Sequence, residues 1–492
     1  MAIEIKDQFT KECGHRSILK QFILGILANF SSVGPSMSLG FSAVALPVLH
    51  GHLNTIELSW FASIASLATP FGCFFAGPFA DRYGRRMALF FVNIVCLLGW
   101  ITIAVFCYAK PSHFWILLLG RVLTGLSTGL CSSPATVYMA EISSPDLRGI
   151  FTTWASVSFS LGVLVVYFLG FLFQSNLGAI CLITAVFPCV GILFSIFLIP
   201  ESPTWLVGRY RTEEARSSLC RIFNTGLTPD VQAELDHLIK CKGVSNMKSE
   251  KPMYRKILSK LEYLMQPHCL RPMILVLTYF FFQQFSGIFV IIFYAIDIVN
   301  NAGITFDPYI TIVVIGVVRL ISAILPSFLA KRFGRRPLSL FSGLGIASCL
   351  LPLALYIKLK DNGSLSGYSL TFLPLICLLV YFVTNSIGFL PLPFALAAEL
   401  FPTKVRGTAA GIISGMGYFF NFIAVKIYPD MVQSLGRSGV FCFYGVIALL
   451  GTIFVFFLLP ETKGKSLQEI EEYFGKKKVS ISEETKILQE MA

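Results

Sequence analysis

The feature that most constrains this chain is a succession of apolar segments about twenty residues long, separated by short polar loops. A helix rises 1.5 Å per residue, so each segment is long enough to cross the ~30 Å hydrocarbon layer of a membrane. They fall near 18–46, 58–80, 87–108, 114–138, 150–173 and 178–199, then near 272–299, 309–330, 338–357, 369–397, 407–427 and 438–459. Lipid offers no partner to a backbone N–H or C=O, so such segments must be helical. The expectation is an all-α membrane protein with twelve transmembrane helices in two six-helix bundles. Of the 492 residues, 13% are charged and 55% hydrophobic. Ordinary soluble domains are roughly 25% charged, so a soluble fold of this size would lack the charge to cover its surface. Disorder is excluded on the same grounds.

The segments divide the chain into a first bundle (1–199), a cytoplasmic helical linker (200–271), a second bundle (272–459) and a cytoplasmic tail (460–492). The linker is too charged to span and has helix-like patterns at Glu213–Ile222 and Val231–Ile239. Orientation follows from the 39 Lys and Arg, which outnumber the 27 Asp and Glu. With both termini inside, only Lys110, Arg121, Arg319, Lys358, Lys360, Lys426 and Arg437 lie outside or within the membrane, as the positive-inside rule requires. The basic excess is therefore topogenic and does not suggest nucleic acid. Residues 1–17 are polar, and the first apolar segment is too long for a signal peptide. The sequon at Asn362 falls in an outer loop, open to glycosylation. The 13 Cys are scattered without metal spacing and read as apolar packers.

The two halves repeat one another. Asp81-Arg82-Tyr83-Gly84-Arg85-Arg86 recurs as Lys331-Arg332-Phe333-Gly334-Arg335-Arg336. Glu141, Arg148 and Gly149 recur as Glu399, Arg406 and Gly407, and Pro200-Glu201-Ser202 as Pro460-Glu461-Thr462. Three motifs repeat in one order, each at a cytoplasmic helix end, which marks a duplicated unit related by an axis along the membrane normal.

These motifs, with Gly77, Gly120-Arg121, Gly125, Gln283-Gln284-Phe285-Ser286-Gly287 and Glu399-Leu400-Phe401-Pro402-Thr403, resemble the sugar porters of the major facilitator superfamily over roughly residues 18–465. Within it the chain is most similar to insect facilitated trehalose transporters and the related animal glucose transporters. The resemblance implies a major facilitator fold and a carbohydrate carrier working by alternating access, without catalytic residues, metal or cofactor, and sufficient as a monomer. It also implies a cytoplasmic latch that holds the outward-open state. In that latch Arg82, Arg85, Arg86 and Arg148 meet Glu141 and Glu201, beside Asp81. Arg335, Arg336 and Arg406 meet Glu399 and Glu461 in the second half. Guanidinium suits this role because its fork binds a carboxylate bidentately. Glycines 77, 84 and 334 are expected to permit close approach. Lys331 stands where the first half has Asp81, which predicts a differently wired second latch.

A sugar needs neutral donors and acceptors near the midplane and an aromatic surface. Gln283 and Gln284 supply amides. Ser286 follows, and Gly287 lets the helix bend. Tyr294 falls on nearly the same face as Gln283 if the helix is straight. Span 10 is interrupted by Pro391 and Pro393, and Phe394 stands where the family has Trp. Asn421 matches a family polar position. Thr152, Ser156 and Ser160 form a hydroxyl stripe, with Ser156 where the glucose transporters have Gln. Phe289 stands where the family has Asn. Arg319 lies ~18 Å inside the bilayer, with Asp297 its most obvious partner.

Proton-coupled sugar porters carry an Asp in span 1, where this chain has Ser42. The reading is therefore a uniporter for a hexose or trehalose in the plasma membrane. The acidic stretch 483–488 leaves an endosomal location open. The competing readings are a proton-coupled symporter and a non-transporting sugar receptor on the same fold. No catalytic arrangement points to an enzyme.

Overall fold

The computed structural model describes residues 19–109, 113–143, 151, 154–174, 176–223, 228–245, 262–302, 304, 306–362, 372–402, 405–463, 469 and 474. Arg148, Thr152, the rest of the sequon after Asn362 and the acidic stretch 483–488 lie outside them, as do the side chains of Lys331 and Arg406. Among the described residues the chain is helical throughout, with nine helices long and apolar enough to span a membrane, or ten when a bent pair is counted as one.

Twelve crossings follow. Span 1 is the bent pair Leu19–Phe30 and Val33–Leu49. Spans 2, 3, 5 and 6 are Thr55–Tyr83, Arg85–Ala109, Trp154–Phe173 and Leu177–Leu198, and span 4 is Phe114–Ile142. Span 7 is Pro267–Phe293, continued by Ala295–Asn301. Span 8 is Pro308–Ser322, continued by Leu325–Arg332. Spans 9 and 10 are Arg335–Asp361 and Leu373–Ala397. The helix Gly407–Leu458, at 52 residues, is more than twice what one crossing needs. It turns at Gly436 (φ 71°, ψ 169°), dividing spans 11 and 12.

Local chemistry sets several helix ends. Span 2 begins with a capping box in which the Asn54 N–H donates to Glu57 Oε2 (2.9 Å). Span 8 begins at Asp307, whose carboxylate accepts from the N–H groups of Tyr309 and Ile310. Glu57 and Asp307 are thus used as caps. The linker folds as Pro203–Gly208, Thr212–Phe223 and Pro229–Ser245, which share a small core of Leu206, Ala215, Leu219, Val231 and Leu235. It docks under span 2, where Trp205 Nε1 donates to the Asp81 carbonyl (2.9 Å).

Three seams join the halves: span 1 on the outer part of span 7, span 2 on span 11, and span 5 on span 8. The first closes the outer end. Beside it the Tyr167 hydroxyl of span 5 donates to the Ile292 carbonyl of span 7 (2.9 Å).

Candidate functional site

Span 7 carries the amides. Gln283 and Gln284 end the helix Pro267–Phe285, and both are fully buried. The chain then passes through Gly287 at φ 88°, a left-handed conformation in which L side chains are strained. A Cβ there would also press on the Tyr444 ring. The break redirects the rest of the span and leaves backbone groups needing partners. Gln283 Nε2 accordingly donates to the Leu390 carbonyl in the break of span 10 (3.0 Å), and the Tyr381 hydroxyl donates to the Ser286 carbonyl (3.1 Å). The two interrupted helices support each other, as irregular backbone at membrane depth requires. Ser286 turns its hydroxyl onto the Gln283 carbonyl (2.7 Å).

Because of this break, Tyr294 is not aligned with Gln283 as a straight helix would place it. It stacks on Tyr428 of span 11 (ring centroids 4.5 Å apart) at the closed outer end. Phe394 packs edge-on against Phe280 at 4.8 Å and lies 6.4 Å from Tyr418. Phe289 is buried in the outer half of span 7.

Asn421 lies on the seam with span 2, its Nδ2 donating to Ser66 Oγ (3.1 Å). Nearby, Lys426 Nζ donates to Ser59 Oγ (2.5 Å) and lies 4.2 Å from the centre of the Trp60 ring. Gln284 Oε1 and Asn421 Oδ1 are buried acceptors with no partner among the described residues. A buried acceptor left open costs about 1–3 kcal/mol, which a hydroxyl donor would recover. Ser156 is exposed, yet Leu161, Phe168 and Leu172 mark the lipid-facing stripe of span 5. At about 100° per residue Ser156 points some 140° away from Leu161, toward the bundle interior. Ser160 is buried.

Arg121 of span 4 is fully buried without a carboxylate partner among the described residues. Its guanidinium donates to the Phe61 carbonyl (3.2 Å), the Ser38 carbonyl (2.9 Å) and hydroxyl (3.0 Å), and Ser42 Oγ (2.6 Å). The Phe61 ring centre lies 5.0 Å away. Neutral dipoles and ring faces hold this charge. Arg319 has no such set: it is 4% exposed, and its Nε and Nη1 have no partner among the described residues. Asp297 does not pair with it; that acid sits nearer the outer end, beside His50.

At the helix ends that carry the repeated motifs, Arg85 Nη2 and Nε donate to Glu141 at 2.8 and 3.0 Å, and Nη1 pairs with Asp81 at 3.1 Å. Arg335 Nη2 donates to Glu399 at 2.9 Å, and the Thr462 hydroxyl donates to the same carboxylate. Glu201 and Glu461 differ from the latch expectation. Their carboxylates accept backbone N–H groups at a helix start: Glu201 from Arg85 (2.8 Å) and Arg86 (3.2 Å), Glu461 from Arg335 (2.9 Å) and Arg336 (3.1 Å). Each caps a helix where its dipole favours negative charge. The close approach explains Gly84 and Gly334, because a Cβ at either would strike that carboxylate. Gly77 has open space around its Cα and needs no such account. Arg86 and Arg336 donate to carbonyls ending spans 6 and 12, Ser195 (2.7 Å) and Ile196 for the first and Phe456 for the second. Arg82 lies over the Tyr83 ring and has no ion pair among the described residues. Both latches are formed while the outer ends of spans 1 and 7 are packed together.

The two caps differ electrostatically. Burial pushes the Glu201 carboxyl above its ordinary range, outweighing the N–H groups of Ser202, Arg86 and Arg85 and the nearby Arg85 charge. At Glu461 burial also acts upward, but the N–H groups of Lys463, Arg335, Arg336 and Thr462 prevail and hold it below that range.

Ser66, Ser38 and Tyr381 escaped the sequence reading. Nothing in their spacing separates them from other hydroxyls on apolar helices.

Twelve helices in two similar halves, with paired charges at one end and open amides on the divide, define a multi-pass membrane carrier of the major facilitator type. Residues 14–474 match the family model described as "Sugar (and other) transporter", and the chain belongs to that family. It is 32% identical to the facilitated trehalose transporter Tret1 of Polypedilum vanderplanki, over 91% of this chain and 87% of that one. It is 30% identical to Tret1 of Apis mellifera ligustica, over 92% of this chain and 88% of that one. The inward-open xylose transporter XylE of E. coli shares the fold, with TM-score 0.75 at 19% identity over 92% of this chain and 99% of that one. The chain is a transporter, not an enzyme.

Proposed function

We propose that the protein is a facilitative carbohydrate uniporter that passes a hexose or trehalose by alternating access. The observation that carries this is the pair of buried amide oxygens, Gln284 Oε1 and Asn421 Oδ1, left open among neutral groups at the divide. Sugar hydroxyls are the donors that fit them. Gln283, Ser286, Phe394 and Ser156 complete the contact set, and Tyr294 acts with Tyr428 at the outer gate. The uniport mode is supported by Ser42, which gives Arg121 a hydroxyl where a coupled porter has a carboxylate. A similarity to trehalose carriers over most of both chains favours a sugar of that class.

In this reading the two bundles rock as units about the three seams, and the linker moves with the first. The latch residues set the balance between states. A monomer suffices, with both termini cytoplasmic, Asn362 glycosylated and the plasma membrane its location. The test is uptake of labelled glucose and trehalose by proteoliposomes holding the purified protein, with and without an uncoupler. Saturable uptake indifferent to the uncoupler is expected. Uptake that collapses with it would overturn the uniport reading, and no sugar flux would overturn the whole.

A further inference from the structure

Among the described residues Arg121, Arg319 and Lys426 are cations set away from the span ends, and two of them are fully provided for. Arg121 has four hydrogen bonds and two aromatic faces, and Lys426 has a hydroxyl and the Trp60 ring. Arg319 is the exception. It is 4% exposed, with donors at Nε and Nη1 unpartnered, and no carboxylate pairs with it among the described residues. A charge at this depth must pair with an opposite charge or with oxygens such as backbone carbonyls, or else face a water-filled path, and leaving charged donors unpaired costs more than leaving neutral ones.

Its placement is informative. Arg319 shares the buried face of span 8 with Ile312, Ile315, Gly316 and Ser322. That span packs on span 5, across the divide between halves. Gly316 faces Leu164 and Tyr167, and Arg319 lies one turn further in, inward of the Tyr167–Ile292 bridge that closes the outer end. The guanidinium, with Nε and Nη1 open among the described residues, therefore sits on the boundary between the halves, where an alternating-access path opens. Phe289, an apolar ring near the same level, offers a neutral sugar no hydrogen bond.

We infer that the solute is an anionic carbohydrate, a sugar acid whose carboxylate supplies the missing partner of Arg319. This rests on the carrier reading above and replaces its neutral sugar with an acid of the same carbohydrate class. Guanidinium is the side chain best suited to a carboxylate. Gln284 and Asn421 then receive the hydroxyls of the same solute.

The test uses wild-type protein and the Arg319→Gln and Arg319→Lys variants in proteoliposomes, with labelled glucuronate, glucose and trehalose. Wild type is expected to carry glucuronate saturably, and Arg319→Gln to lower the glucuronate-to-glucose uptake ratio at least tenfold, with Arg319→Lys between. Uniport of a monoanion must also follow voltage. An inside-positive potential of 100 mV, worth about 2.3 kcal/mol per charge, should accumulate glucuronate up to about fiftyfold and leave glucose unaffected. This arm needs only wild-type protein, so it decides even if the Gln variant does not fold. Carriage of glucose or trehalose without glucuronate overturns the inference and spares the carrier reading. So does an unchanged ratio in a well-folded Arg319→Gln. Neutral sugar uptake that requires chloride would put an inorganic ion on Arg319 and overturn it too. Failure to carry any of the three sinks both.

Discussion

The two cytoplasmic ion pairs should differ in strength, and a pair of double-mutant cycles measures the difference. Arg85 and Glu141 join through bonds from Nε and Nη2, with side chains 11% and 17% exposed. Arg335 and Glu399 are 23% and 30% exposed. Breaking a fully buried pair from one side costs about 3–5 kcal/mol, whereas an exposed pair contributes about 0–1. The first pair lies near the lower edge of the buried range, so Glu141→Gln should cost about 3 kcal/mol. The second lies near the exposed limit, so Glu399→Gln should cost about 1 kcal/mol. At about 2–4 °C per kcal/mol for a unit of 150–250 residues, Tm should fall by roughly 6–12 °C in the first case and 2–4 °C in the second. Combining Glu141→Gln with Arg85→Gln should add little, because both substitutions remove the same interaction. The assay is thermal unfolding of purified protein in detergent for wild type, each single and each double variant. Additive shifts in the first cycle, or a larger coupling in the second, would refute the reasoning.

Three further outcomes follow. Ser42→Asp places a titratable group beside Arg121 and should make sugar uptake depend on external pH; a flat profile like that of wild type would count against a coupling role for this position. Gly287→Ala should abolish uptake, since it adds the left-handed penalty of about 1–2 kcal/mol to pressure on the Tyr444 ring; wild-type rates in that variant would show that the break in span 7 is dispensable. For the caps, the folded-state pKa of Glu461 is lowered, so its stabilisation is present above the ordinary glutamate range and lost as pH falls through its lowered value; the raised pKa of Glu201 means protonation favours the folded state. Glu461→Gln should therefore lower Tm at neutral pH more than Glu201→Gln does, and equal losses would contradict this ordering.

Much of the site was legible because each signal is local. Arg85, Glu141, Arg335 and Glu399 stand at repeated cytoplasmic helix ends, where charges of opposite sign have little choice but to meet. Gln283 and Gln284 are conspicuous as amides in an apolar segment. The roles of Glu201 and Glu461 were not legible. A carboxylate near arginines suggests an ion pair, but here the backbone N–H groups of the same arginines come closer, because Gly84 and Gly334 let the helix start approach. Tyr294 was misaligned for a related reason: extrapolation along a helix holds only until a residue such as Gly287 leaves helical dihedrals. The Asn421–Ser66 contact joins residues 355 apart in sequence, and no periodicity reports on that.

The sequence by itself determined that this chain is built of membrane-spanning helices in two related halves, each with the same charged motifs at its helix ends. Those properties depend on transfer of whole segments into lipid, and a run of apolar side chains suffices to specify them. Only the tertiary structure decided how each polar group inside the membrane is satisfied. Arg121 is surrounded by neutral oxygens, whereas Arg319 is left open, although both are single arginines in apolar helices. The difference comes from which neighbouring helices face them.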